Sequence, residues 1–107
     1  MRIAKIFGSV VLSRCHTSFA EARLRLAVPI SLDELRNDSS PAADTIVVWD
    51  ELGAGEDSLI AVADGAEAAQ PFLPERKPVD AYCTALLDHV TLFDEKQMKT
   101  IPTESED

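Results

Sequence analysis

The side chains able to do chemistry are few in this sequence, and most stand far apart. Cys15 and His16 are adjacent, while Cys83 and His89 lie near the other end. Thiolates and imidazoles are good zinc ligands, but zinc sites hold them in short paired spacings such as C-x-x-C, and none is present. On one continuous strand Cys83 and His89 would share a face yet stand about 20 Å apart, too far for one ion. A cysteine nucleophile needs a neighbouring base and a lowered pKa, and the sequence signals neither. Cys83 is therefore read as a small core residue. Asp50, Glu51, Glu56 and Asp57 flank a glycine turn, a spacing from which a paired-acid site could be built. Acidic side chains beside a turn are more simply a solvated loop, and that reading is adopted. Gly53-Ala54-Gly55 has the small residues of a phosphate-binding loop but lacks its spacing, its lysine and its following helix. It is read as a turn where backbones approach closely. The sequence thus predicts no catalytic residue, no metal site and no cofactor.

Composition narrows the function classes further. The chain has 107 residues, 46% hydrophobic and 27% charged, an ordinary balance for one globular domain. Its net charge is −9, and the charge is unevenly placed. Residues 1–44 carry 6 basic and 5 acidic side chains, residues 45–93 carry 2 and 9, and residues 94–107 carry 2 and 5. Nucleic-acid binders draw their non-specific affinity from Lys and Arg, so neither DNA nor RNA is an expected partner, nor is an anionic membrane. Two cysteines make no disulfide framework, no signal-peptide pattern opens the chain, and no apolar run approaches a membrane span. A reducing cytoplasm is the expected location. A domain this small buries a modest share of its surface, which favours oligomerisation.

The elements that must carry these residues read as strands. Arg2–Ser13 is a strand pattern with Gly8 inside it, where a bulge or sharp bend is expected. Arg23–Val28 alternates Arg23, Arg25 and Ala27 with Leu24, Leu26 and Val28, predicting a strand with its leucines inward and its basic residues outward. Ser31–Asp44 reads as a surface loop with one helical turn at Leu32–Arg36. Thr45–Asp50 and Ser58–Ala63 are strands separated by the Gly53–Gly55 turn. Ala66–Gln70 has short helical propensity, and Pro71, Pro74 and Pro78 stiffen an extended passage. Ala81–Phe93 reads as one long closing strand. Trp49 and Tyr82 are expected in the core or at an interface. The expected fold is mainly all-β: a five-stranded OB-like barrel, with one short helix between strands four and five, over residues 1–93. Residues 94–107 are expected to be a flexible acidic tail, with Met98 and Ile101 as its scattered apolar residues.

Taken in order, these segments resemble the EutN/CcmL family, the pentameric vertex proteins of bacterial microcompartments and carboxysomes. Arg2–Ser13 (RIAKIFGSVVLS) resembles its M-x-I-A-x-V-x-G-x-V-V opening. Trp49–Gly55 resembles its D-x-x-G-A-G segment, Pro78-Val79-Asp80-Ala81 its P-V/I-D-A, and Leu87–Val90 its closing I-V-D-x-V. The chain departs in three places: Glu56-Asp57 follow the Gly turn, no Arg occurs in Gly65–Gln70, and Leu86 replaces a small residue.

The resemblance implies a disc-shaped homopentamer, without catalysis, at the corners of a cytoplasmic microcompartment shell whose facets are hexameric proteins. It also implies that Gly53, Ala54, Gly55, Gly65, Ala66, Pro78 and Asp80 lie at subunit contacts or near the ring axis. The alternative left open by the residues is a stand-alone acidic OB-type module that binds a protein or peptide.

Overall fold

Alternation sets the first strand, and one extra residue bends it. The structure, a computed structural model, describes residues 1–93 and 98–102. In β1 (Arg2–Val10), Ala4 and Ile6 are buried while Phe7 is exposed. Pairing with β2 (Leu24–Pro29) steps from Ile6↔Ala27 to Gly8↔Leu26, so Phe7 is an extra residue and the expected bulge is present. A Cβ on Gly8 would sit 3.2 Å from Leu26 Cδ1, so glycine lets the two strands close up at the bulge. The strand ends at Val10 and not at Ser13, because β2, its pairing partner, starts at Leu24 opposite Val10.

Three more strands complete a closed barrel: β3 (Ile46–Trp49), β4 (Leu59–Asp64) and β5 (Ala81–Leu86). Their order around the barrel is β1-β2-β3-β5-β4, with β4 closing on β1. All pairings are antiparallel except β3 with β5, where Trp49 lies beside Tyr82. The interior holds Ala4, Ile6, Ala27, Val48, Ala54, Ile60, Val62, Ala81 and Cys83. Four of these nine are alanine, as a five-stranded barrel needs, because its lumen is too narrow for large side chains throughout.

The pairing reverses the expected facing of β2. Ala27 is fully buried opposite Ile6 and Ile46, and Arg25 lies opposite the fully buried Val48. Residues directly opposite one another share a face, so Arg25 and Ala27 point inward. Leu24, Leu26 and Val28 point outward. Inside, Ala27 joins the core and Arg25 finds the buried Asp50 as its partner, and the leucines are left outside.

A 3₁₀ segment, Gly65–Phe72, joins β4 to β5 and packs on both. It stands where the short helix is expected, and Pro71 inside it lacks the N–H that a regular α-helix would use. With that cover, Leu59, Ala61 and Ala63 are buried as well as Ile60 and Val62, so β4 reads as a continuous apolar run. The α-helix, α1 (Leu32–Asn37), lies between β2 and β3 and includes the expected turn. Ser31 and Glu34 form its reciprocal capping box, at 3.2 and 2.9 Å. Glu34 also accepts the Ala42 N–H at 2.7 Å, tying the following loop to the helix. These backbone donors hold its carboxyl below the usual carboxylate range.

The expected single strand Ala81–Phe93 is two. β5 pairs with β4 as far as Leu86↔Ile60, and the barrel partner ends one residue later at Leu59. After Leu87 and Asp88 the chain re-forms as β6 (His89–Phe93), antiparallel to β7 (Met98–Pro102). Cys83 and His89 therefore do not share a strand. β7 lies inside the stretch expected to be frayed, and the remainder of that stretch, residues 94–97 and 103–107, falls outside the described residues. Among the described residues, no helix is long and apolar enough to cross a membrane.

Candidate functional site

The glycine turn after β3 is built on a carboxylate that the sequence reading placed in solvent. Asp50 is 0% exposed. Its Oδ1 accepts the N–H groups of Leu52 at 3.0 Å and Gly53 at 3.2 Å, and its Oδ2 accepts that of Ala54 at 2.7 Å. The inward Arg25 brings its Nε to 3.5 Å from Asp50 Oδ2 and 3.3 Å from the Ala54 carbonyl. A buried carboxylate is tolerated only when paired and hydrogen-bonded, and here three amides and a guanidinium do both. Asp50 is thus the peg of the turn and is closed to substrate. The signal that could have revealed it is the D-x-x-G spacing, in which an aspartate folds back on the next N–H groups.

The neighbouring acids go elsewhere. Glu51 and Glu56 are exposed, and Glu51 accepts the Tyr82 hydroxyl at 3.0 Å. Asp57 donates its N–H to the Ile6 carbonyl at 2.8 Å and stands 3.8 Å from Lys5. Partial burial, then the bond to Glu51, raises the Tyr82 pKa. Cys83 is pushed up to about 12 by burial first and by the Asp50 charge second. A thiol held in that state is a poor nucleophile. Among the described residues, no group of three or more His, Cys, Asp or Glu could hold a metal ion.

The residues expected at a contact or axis fall into two groups at opposite ends of β4. Gly53 (φ +82°) and Gly55 are exposed on the turn before it, whereas Ala54 is buried in the core and backs that turn. Gly65 (φ +66°) and Ala66 are exposed after it, and the Gly65 N–H donates to the Asp80 carbonyl at 3.0 Å. Pro78 and Asp80 are exposed on the approach to β5. The structure brings Gly65 and Asp80 together, and neither touches the first turn in any contact described.

A feature the sequence reading missed covers the outside of β3 and β5. Trp49 lies tilted at 5.5 Å from Phe19 and edge-on at 4.7 Å from Phe72, which meets Tyr82 edge-on at 5.5 Å. Lys77 lies 5.5 Å from the centres of both Trp49 and Phe72, with its Nζ donating to the Ser18 carbonyl at 2.7 Å. These contacts tie the 17–19 and 72–77 segments to the barrel wall, and residues so distant in sequence give no local signal. Beside this cluster runs a groove of about 420 Å³, lined by Leu12, Leu24, Val47, Trp49, Pro78 and Asp80 among others.

Comparison with known proteins places this geometry. The family described as ethanolamine utilisation protein EutN/carboxysome matches residues 1–88. The chain belongs to the EutN/CcmL family. Among solved structures, CcmL from Gloeobacter violaceus superposes with a TM-score of 0.74 at 26% identity, over 91% of this chain and 100% of that one. CcmL from Nostoc sp. PCC 7120 gives 0.72 at 28% identity, over 84% and 92%. The GrpN pentameric microcompartment shell protein from Rhodospirillum rubrum gives 0.72 at 25% identity, over 87% and 100%. No curated protein sequence matches. Members of the EutN/CcmL family are structural components of bacterial microcompartment shells and not enzymes.

Proposed function

We infer that this chain is a structural shell protein whose pentamers cap the five-fold vertices of a bacterial microcompartment in the cytoplasm. The observation that carries this reading is the family match over residues 1–88 on a closed five-stranded barrel. The mechanism is geometric. A layer of six-fold units stays flat, and a five-fold unit at each corner supplies the curvature that closes a polyhedron. The surrounding partners are therefore hexameric facet proteins of the same shell. Cyclic symmetry requires that one patch of each protomer meet a different patch on the next, until the ring closes.

The exposed turns at Gly53 and Gly55, at Gly65 and Ala66, and at Pro78 and Asp80 are assigned to subunit contacts or to the axis. Ala54 supports the first turn from within. Native mass spectrometry over a range of concentrations tests the assembly. The expected result is a dominant five-fold multiple of the 11.7 kDa chain. A monomer or dimer at every concentration would overturn it in favour of an acidic binding module. For the turns, Gly53→Trp, Gly55→Trp and Gly65→Trp are compared with alanine at the same positions. Pentamers that survive all three tryptophans would remove these turns from the contact.

A further inference from the structure

We propose that Lys77 is a positioning residue, whose ammonium clasps two irregular segments, residues 11–22 and 73–80, to the Trp49 wall and couples the one to the other. Neither segment has a strand partner. β1 ends at Val10 opposite Leu24, so residues 11–22 lie beyond its pairing with β2. Among the described residues, their hydrogen bonds run inside the segment, as from the Phe19 N–H to the His16 carbonyl at 2.9 Å, with one exception. That exception is Lys77 Nζ, which donates to the Ser18 carbonyl at 2.7 Å from 59 positions away. Phe19, 5.5 Å from Trp49, is the apolar half of the same attachment. Residues 73–80 join the 3₁₀ segment to β5, and Pro74 and Pro78 within them have no N–H to donate.

The place of the charge suits it to this task. The Lys77 side chain is 13% exposed, while its ion-pair partner Glu75, at 3.4 Å, is 72% exposed, and a pair of that kind contributes little. The ammonium is held instead by the Ser18 carbonyl and by the rings of Trp49 and Phe72, each centred 5.5 Å away. A cation over an aromatic ring gains more as water is withdrawn from it. Ser18 belongs to the first segment, Trp49 to β3 and Phe72 to the end of the 3₁₀ segment, so one group joins three pieces of the chain. The effect runs onward through the backbone. The Lys77 carbonyl accepts the Val79 N–H at 2.8 Å, and the Asp80 carbonyl accepts that of Gly65. On the ring reading above, Pro78 and Asp80 are contact residues, and the clasp positions them for assembly.

The test uses the single tryptophan and the exposed thiol, read on diluted protomers. Trp49 is 5% exposed beneath the clasp, and Cys15 is exposed on the first segment while Cys83 is buried. Lys77→Met keeps the stem and removes the charge. It should raise acrylamide quenching of Trp49 at least about threefold and lower the anisotropy of a fluorophore on Cys15 about twofold, with unchanged far-UV circular dichroism. Lys77→Arg, which stays charged and can lie on aromatic rings, should restore both. Arg76→Met removes the same charge from the exposed neighbour and should alter neither. The reverse perturbation, Phe19→Ala, should speed acylation of the Lys77 amine at least about fivefold, because coupling is reciprocal. Wild-type quenching and anisotropy in Lys77→Met, an equal response in Arg76→Met, or unchanged acylation in Phe19→Ala overturns the clasp. In native mass spectrometry the ring dissociation constant of Lys77→Met should rise at least about tenfold. An unchanged constant, with the clasp signals moved, overturns the role in assembly. A wild type that never assembles overturns the ring reading, and the clasp is then judged on quenching, anisotropy and acylation alone.

Discussion

The turn behind Asp50 and the outer face of β1-β2-β3 lie on the two sides of the same strands and are completed in opposite ways. Behind the turn, the partners come from within the protomer: three amides and Arg25 converge on one carboxylate. On the outer face, the described residues leave Leu26 and Val28 half-buried and Val47 exposed. The inner region holds the protomer's own fold together, and the outer one is left free to meet other molecules. Substitutions on the two sides should therefore separate stability from assembly.

The largest effect belongs to the interior. Asp50→Ala removes the acceptor of three backbone N–H groups, of which that of Ala54 is buried, and the charge partner of Arg25, and should cost about 3–5 kcal/mol, read as a lowered urea midpoint. Loss of under 1 kcal/mol would mean that water replaces the carboxylate and that the turn is not pegged as described.

The second effect is a pH slope. The native Cys83 thiol holds its proton until about 12, while in the unfolded chain it ionises in the ordinary thiol range. The folded state therefore binds more protons above that range, and stability must fall as pH rises, by up to about 1.4 kcal/mol per unit. Urea midpoints at pH 8 and pH 11 should differ more for the wild type than for Cys83→Ala. Equal differences would remove Cys83 from the core.

Gly53→Ala should cost about 1–2 kcal/mol through its left-handed backbone alone, since no atom lies within 4 Å of the added Cβ. Ser31→Ala, which opens the capping box of α1, should cost about 1 kcal/mol of protomer stability. The smallest effect sharpens the comparison most. Val47→Glu should move the urea midpoint of the dissociated protomer by no more than about 0.5 kcal/mol. A larger loss would make Val47 a folding residue and blur the division between the two faces.

Strand positions, the bulge at Gly8 and the capped turn of α1 were legible because each is written in neighbouring residues. Alternation, a glycine inside a strand pattern and S-x-x-E are local signals. The facing of β2 was not legible. Alternation tells which residues share a side, but not which side is the lumen, and hydrophobicity alone chose the leucines. The break after Leu86 was hidden for a similar reason, since it is imposed by the length of β4, some 25 positions earlier. Of the candidate contact residues, Gly53, Gly65, Pro78 and Asp80 are exposed as a contact requires, while Ala54 is consumed by the core. The Trp49, Phe72 and Lys77 cluster escaped because its members are distant in the chain.

By itself, the sequence determined a small mainly-β domain, acidic in its second half, with ordered motifs that match one family and no grouping fit for catalysis. These follow from composition and local spacing, which the chain carries whether or not it is folded. Only the tertiary structure decided that Asp50 is buried and satisfied and that β2 turns its leucines outward. Those outcomes depend on barrel closure. Closure fixes which side of each strand faces the lumen, and there Ala27 lies opposite Ile6 and Ile46 and Arg25 reaches Asp50, while Leu24, Leu26 and Val28 stay outside.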